Sequence, residues 1–302
     1  MSKIYRLAVV RSANGRDVVI DHRGRLLPAD AILAGKIGLD VGAKLTDLQP
    51  ILNQWEKWDA LIAEYVEANS AAFERGKATA EAAFLAPLVA PGKFVCIGSN
   101  YRDHIAEMSI PMTPSYPYAF AKPVNNTARG PGDAVAVPRK VQMMDWEAEL
   151  GVVIGKTCAE VSAADALSMV AGYVNFNDLS ARDWLDKRPP VGVDWVQHKA
   201  FDGFAPFGPF LVPARFIPDP QNLSVRLSVN GVVKQDSNTS EMVFGVAAII
   251  EHLTSIMTLY PGDIIATGTP AGTGHGKKEY LKAGDVVRME VGPLGELTTP
   301  IA

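Results

Sequence analysis

The chain has 302 residues, of which 48% are hydrophobic and 21% charged, with a net charge of −4 at pH 7. This length accommodates one large core, or a large and a small one, and the composition is that of an ordinary globular protein. A mild negative charge without any dense basic run excludes nucleic acid as the expected partner, and no apolar stretch reaches membrane-spanning length.

The N-terminus reads as a short strand between charges rather than a secretory signal. Strands are predicted at Ile4 to Val10 and Val18 to Asp21. Leu52, Trp55, Leu61, Ile62 and Tyr65 fall near helical spacing, which predicts an amphipathic helix. An Ala-rich stretch, Ala78 to Ala90, ends in Pro91-Gly92 and reads as a connection to a larger second part. The expected division is a small α+β domain over 1–76, a linker over 77–92 and a catalytic domain over 93–302. The two cysteines, Cys96 and Cys158, are expected as free thiols in a reducing cytoplasm.

From Phe94 onward strand signals dominate. Phe94 to Ile97 is a short apolar strand running into Gly98-Ser99-Asn100. Next comes Asn100-Tyr101-Arg102-Asp103-His104-Ile105-Ala106-Glu107-Met108, where His104 and Glu107 are three residues apart and share one side of a helical turn. A carboxylate beside an imidazole orients it and favours its protonated form, which makes a better base. A surface His–Glu pair has the same spacing.

Asp145-Trp146-Glu147-Ala148-Glu149-Leu150-Gly151-Val152-Val153-Ile154-Gly155 opens with acids at every second position. Read as one strand, it points Asp145, Glu147 and Glu149 to one face and Trp146, Ala148, Leu150 and Val152 to the other, which reads as core. Adjacent carboxylates inside a domain need compensation, which a divalent cation supplies most simply. A solvated strand face gives the same alternation. Asp178, embedded in the strand-like Val174 to Ser180, adds a third acid. Three carboxylates plus waters suit Mg²⁺ or Mn²⁺, and without a Cys/His cluster structural zinc is not expected.

Ser162 and Asp165 resemble a capping box opening a helix through about Val170. Lys199 leads into an aromatic, Gly-rich stretch and suits an anion or oxyanion, though a solvated lysine looks the same. Asn230-Gly231 predicts a hairpin between strands at Leu223 to Val229 and Val232 to Gln235. Met242 to Leu259 reads as the clearest helix, ended by the turn Tyr260-Pro261-Gly262-Asp263. Strands follow at Ile264 to Thr267 and Val286 to Val291. Between them, Thr267-Gly268-Thr269-Pro270-Ala271-Gly272-Thr273-Gly274 is a loop whose amides and hydroxyls suit a carboxylate; it lacks the Gly-Lys-Ser/Thr of a phosphate loop. Trp184, Trp195, Tyr116, Tyr118 and Phe120 are either a pocket wall or core.

Together these pieces resemble the fumarylacetoacetate hydrolase family. The matching stretches are Gly98 to Met108, Asp145 to Gly155, Ala171 to Asp183, Lys199 to Phe210, Ser237 to Phe244, Met257 to Gly274 and Leu281 to Val287, in the family's order from about Lys93 to the end. The resemblance implies an α+β, mainly β fold: a mixed β-roll of the family's C-terminal type with a small N-terminal domain, dimeric, and carrying Mg²⁺ or Mn²⁺. It implies Glu147, Glu149 and Asp178 as metal ligands, with Asp145 behind them. His104 and Glu107 become a catalytic dyad on a lid segment, and Lys199 and Thr269 contact substrate. The implied reaction is hydrolysis of a C–C bond in a β-diketo acid of the acylpyruvate kind. Oxaloacetate decarboxylation and keto-acid tautomerisation are the alternatives at the same metal. A small keto acid is the implied partner, and Lys199 offsets the net negative charge that three carboxylates leave on one dication.

Overall fold

The strand Ala148–Ile154 is buried along its whole length, which explains why its sequence is almost continuously apolar after Glu149. Its even-numbered side chains, Leu150, Val152 and Ile154, enter one core and Val153 enters another. This strand is therefore the central layer of the molecule. In the computed structural model, which describes residues 4–13, 15–30, 45–108 and 111–302, it lies in a twelve-stranded sheet. The strand expected at Ile4 to Val10 is observed at Arg6–Ser12.

Ala148–Ile154 pairs antiparallel with Val170–Asn177 and with Ile264–Ala266. Val170–Asn177 pairs with Ala205–Pro213, which pairs in turn with Arg6–Ser12. The sheet continues through Gly15–His22 and Arg25–Pro28. On the other side Ile264–Ala266 pairs parallel with Phe94–Gly98, which is antiparallel to Tyr118–Lys122. The sheet is thus mixed, and the chain is mainly β.

One face packs on a second, four-stranded antiparallel sheet in the order Val232–Asn238, Ser224–Val229, Val286–Val291, Glu296–Pro300. Val225, Leu227, Val287 and Met289 meet Leu150, Val152 and Phe210 there. The hairpin inside this sheet turns at Asn230 (φ 52°) and Gly231 (φ 80°), as their tolerance of positive φ predicts. The other face is covered by the helix Trp55–Ala68, whose buried residues are Trp55, Trp58, Ile62 and Val66. They pack with Phe94, Phe176, Phe207 and Leu211 of the central sheet. Both cysteines are free and buried.

Three elements differ from their sequence patterns. The helix expected over Met242 to Leu259 is only Val246–Thr254. Asn100 takes the preceding backbone: its side chain accepts from Phe244 N at 2.9 Å and donates to Phe244 O at 3.0 Å, and its carbonyl accepts from Val243 N at 2.7 Å. A backbone held this way cannot also close helical hydrogen bonds. The helix after Ser162 runs Ala163–Ala166 and tightens over Leu167–Met169, because Val170 already begins a strand. Asp145 to Gly155 is not one strand but two, Met144–Asp145 and Ala148–Ile154, which turns Asp145 away from the face of Glu147 and Glu149. Among the described residues no helix is long and apolar enough to cross a membrane.

Phe207 is fully buried and meets Phe94 edge-to-face at 5.5 Å, between the helix layer and the sheet. Phe207→Ala is expected to cost about 3–5 kcal/mol of stability, read from denaturant unfolding.

Candidate active site

The strand register brings the acids together. Glu149 lies opposite Phe176 in the antiparallel pair, so Asp178, two residues past Phe176, projects on the same face just beyond the strand end. The Glu147 N–H donates to Asn177 Oδ1 at 3.1 Å and its carbonyl accepts from Asp178 N at 3.0 Å, which fixes the break after Asp145 beside Asp178. Glu147, Glu149 and Asp178 are all buried, and each offers a carboxylate oxygen within 4.8 Å of the other two. The structure thus brings together the three acids that the sequence singled out.

Asp145 sits behind this triad. Its oxygens accept from Gly274 N at 2.7 Å, Trp146 N at 2.8 Å and Arg182 Nε at 2.8 Å. Arg182 also reaches Glu147 Oε1, through Nη2 at 2.5 Å. Lys199, on the short helix Trp195–Lys199, donates at 2.7 Å to both Glu147 Oε2 and Asp178 Oδ2. That helix is seated by Trp195, which stacks flat on Phe120 at 4.1 Å. Lys122 pairs with Asp178 Oδ1 and donates to Leu179 O at 3.0 Å and Phe204 O at 2.6 Å.

These contacts set the charge states. Burial alone would raise the Glu147 carboxyl, but the charges of Lys199 and Arg182 hold it well below the ordinary value. Glu149 goes the other way: burial, then the charges of Asp178 and Glu147, raise it well above the ordinary value. Its fixed donor is the Gly268 N–H, at 2.8 Å. Burial lowers Lys122, yet its nitrogen faces three acceptors, which accommodate the three protons of an ammonium. Burial also lowers Lys199, but the charges of Asp178 and Glu147 outweigh it and raise the group. A buried oxygen-only donor set, with one carboxylate short of positive charge, fits a hard divalent cation.

His104 and Glu107 lie on the helix Arg102–Glu107, and His104 Nδ1 meets Glu107 Oε1 at 2.8 Å. Arg102 anchors this helix to Met242 O at 2.9 Å, and Asp103 accepts from Ser237 Oγ at 2.6 Å. Glu107 Oε2 accepts from Gly272 N at 2.9 Å and Oε1 from Thr273 Oγ1 at 3.2 Å. Burial would raise the Glu107 carboxyl, but the His104 and Gly272 hydrogen bonds bring it below its ordinary value. It is therefore a carboxylate that holds the His104 ring, with Nδ1 turned toward it.

The Thr267 to Gly274 loop cradles carboxylates as expected, but they are the protein's own. Gly268 holds Glu149 and Gly272 holds Glu107. At Gly268 (φ +96°) a Cβ would lie 2.8 Å from Asn100 Cβ, so only glycine brings that amide to Glu149. Thr269 Oγ1 donates to Ala148 O at 3.0 Å and accepts from Gln235 Nε2 at 2.8 Å, leaving one lone pair and the methyl group free.

A cavity of about 1280 Å³ joins these groups: His104, Glu107, Glu147, Glu149, Asp178, Lys199 and Thr269 all line it. Tyr116, Tyr118, Phe120 and Trp195 form its aromatic wall. Trp184 instead packs against the main core. The sequence reading missed Lys122, Arg182 and His198. His198 Nδ1 meets Ala181 O at 2.8 Å, and burial, then the Lys199 and Arg182 charges, depress it well below the ordinary value. It is a neutral ring whose Nδ1 carries the proton. The available signal for Lys122 was its place in Tyr-Ala-Phe-Ala-Lys, where alternation puts it on the face of Phe120.

Residues 93–302 match the family profile "Fumarylacetoacetate (FAA) hydrolase C-terminal". The chain is 45% identical to a mitochondrial oxaloacetate tautomerase of Xenopus laevis over 219 residues, which is 72% of this chain and 67% of that protein. It is 46% identical to a 2,4-didehydro-3-deoxy-L-rhamnonate hydrolase of Sphingomonas sp. strain SKA58 over 212 residues, 69% of this chain and 73% of that one. The crystal structure of maleylpyruvate hydrolase from Sphingobium sp. SYK-6, in complex with manganese(II) and pyruvate, superposes with a TM-score of 0.77 at 27% identity, covering 98% of both chains. The relatives thus include hydrolases and a tautomerase, and the chain belongs to the fumarylacetoacetate hydrolase family.

Proposed function

We propose that the chain is a divalent-metal-dependent hydrolase that cleaves a C–C bond of a β-diketo acid of the acylpyruvate kind, giving pyruvate or a related keto acid and a carboxylate. The observation that carries this reading is the His104–Glu107 pair, built into the same cavity as the acidic triad and Lys199. Glu147, Glu149 and Asp178 would hold Mg²⁺ or Mn²⁺. Bound there, the cation supplies Lewis-acid polarisation of the substrate's 2-oxo and carboxylate oxygens.

The chain's own residues do the rest. Glu107 keeps Nδ1 of His104 engaged, so Nε2 is the nitrogen that takes a proton from water. The resulting hydroxide adds to the distal carbonyl, and Lys199 donates from Nζ to the oxygen that gains charge. The bond between that carbon and the neighbouring methylene then breaks. Its electron pair stays on the keto-acid fragment, which recovers the proton from His104, and the acyl fragment leaves as a carboxylate. The aromatic wall accommodates the acyl group. The cavity, about 1280 Å³, has room for a diketo acid larger than acetylpyruvate.

A second reading, keto–enol tautomerisation of oxaloacetate, is favoured by the tautomerase relative, and decarboxylation of oxaloacetate is the further alternative at the same site. Both need the metal and one proton carrier but no water attack. Acetylpyruvate and oxaloacetate assayed in parallel with Mg²⁺ or Mn²⁺ separate the readings. Pyruvate plus acetate supports hydrolysis. Loss of the oxaloacetate enol signal, or CO₂ release above the free-metal rate, with acetylpyruvate untouched, supports the second.

In the hydrolase reading, His104→Ala lowers kcat by roughly 10²- to 10⁴-fold, while Mn²⁺ affinity measured by calorimetry is unchanged. Near-normal turnover would remove the dyad from the mechanism.

Glu149 makes a further prediction. Its folded pKa is raised above the ordinary 4.5. With metal chelated, the folded chain above that pH keeps a proton that the unfolded chain has lost. This group's contribution therefore lowers stability as pH rises from about 4.5 until Glu149 itself ionises, by at most about 1.4 kcal/mol per pH unit. Glu149→Gln is expected to abolish metal binding and to lack that slope, as melts in chelator across pH would show.

A further inference from the structure

Each carboxylate of the triad has one oxygen already taken by a donor that cannot swing away. Glu147 Oε1 is held by Arg182 Nη2 at 2.5 Å, and Arg182 is itself pinned by Asp145 at 2.8 Å. Glu149 Oε2 is held by the backbone amide of Gly268 at 2.8 Å. Asp178 Oδ1 is held by Lys122, a side chain with no solvent exposure that the Leu179 and Phe204 carbonyls also grip, at 3.0 and 2.6 Å. One oxygen per residue is left: Glu147 Oε2, Asp178 Oδ2 and Glu149 Oε1. Lys199 takes the first two at 2.7 Å each. Among the described residues no donor pairs with the third.

We infer that Lys122, Arg182 and the Gly268 amide restrict the triad to one oxygen per carboxylate and thereby make the site select Mg²⁺ or Mn²⁺ against Ca²⁺. This rests on the metal-dependent reading above. Three single oxygens make half of an octahedron and leave the other half for substrate and water, which suits the small cations. Ca²⁺ prefers six to eight oxygens and usually recruits carboxylates through both of theirs. Here the second oxygen is occupied at all three. A cation entering the triad competes with Lys199, on the cavity side, and not with Lys122, behind it. Lys122 is thus a positioning residue acting through Asp178, and the two lysines divide the two oxygens of one aspartate between them.

The test is the ratio of Mn²⁺ to Ca²⁺ affinity, measured by calorimetry with the chloride salts on the chelator-stripped full chain. Both cations carry the same charge, so a ratio largely cancels the electrostatic effect of removing a lysine and reports coordination geometry. The wild-type chain is expected to prefer Mn²⁺. In Lys122→Met, Asp178 is free to offer both oxygens, and the preference should fall roughly 10- to 100-fold, the usual size of effects from residues behind the ligands. Where Lys122→Met does not fold, Arg182→Gln frees Glu147 Oε1 and is read the same way. A structural role alone would lower the melting temperature and leave the ratio where it was. A folded variant with unchanged Mn²⁺ preference, or a wild-type chain without that preference, overturns the inference and leaves metal binding standing. A wild-type chain that binds neither cation overturns both.

Discussion

Four buried carboxylates crowd one end of the central sheet: Asp145, Glu147, Glu149 and Asp178. Removing that much negative charge from water is among the largest costs a fold can carry unless cations and N–H groups surround it. Much of what surrounds them serves that end. Lys122, Arg182 and Lys199 supply three cations from three different segments, and the amides of Gly268, Gly274 and His275 point inward. Formally one negative charge remains, and Glu149 is the carboxyl that burial and the charges of Asp178 and Glu147 make hardest to ionise. With a dication in place and Glu149 ionised, the same count ends at one positive charge. A triad offset by Lys199 alone would end at zero on the same count, so Lys122, Arg182 and Asp145 belong in the charge balance.

The same constraint explains why one loop serves both halves of the site. Thr267 to Gly274 follows the short strand Ile264–Ala266, which lies between Ala148–Ile154 and Phe94–Gly98. Those two neighbours lead to Glu149 on one side and to the His104 helix on the other. A loop leaving that position reaches both, and it gives one amide to Glu149 and another to Glu107. The His104–Glu107 pair and the acidic triad thus share a rigid reference. Asn100 tightens it further, donating to Thr267 O at 2.8 Å while ordering the chain before the helix Val246–Thr254.

What the sequence shows plainly is local. The alternation of Glu147 and Glu149, the spacing of His104 and Glu107, and Asn230-Gly231 each depend on neighbours within a few residues. What it hides depends on partners far along the chain. Lys122 finds Asp178 56 residues on, and Arg182 reaches back 35 residues to Glu147. Arg182 has no local pattern that separates it from a surface cation, and for Lys122 the alternation with Phe120 gives its face but not its partner. The long helix expected from Met242 failed for the same reason: its apolar spacing is genuine, but Asn100, 144 residues earlier, claims the backbone at Phe244. Asp145 shows the reverse error, where a regular alternation continued in sequence across a break that Arg182 and Gly274 impose in space.

The division of the cavity follows from the same arrangement. Every charged group at its inner end is committed to another charged or polar group of the protein, so binding there is governed by charge and geometry rather than area. The aromatic wall is held differently. Trp195 stacks on Phe120, and Tyr118 leans on Trp195 at 5.7 Å, so these rings are fixed by one another and by the start of the Lys199 helix. Replacing Tyr116 or Tyr118 on that wall changes the shape of the cavity without touching the carboxylates, provided the helix stays seated. The reverse does not hold, because Lys199 is carried by the helix that Trp195 anchors. A change at Tyr116 or Tyr118 therefore reshapes the wall and leaves the charged end in place, whereas a change at Trp195 alters the wall and the placement of Lys199 together.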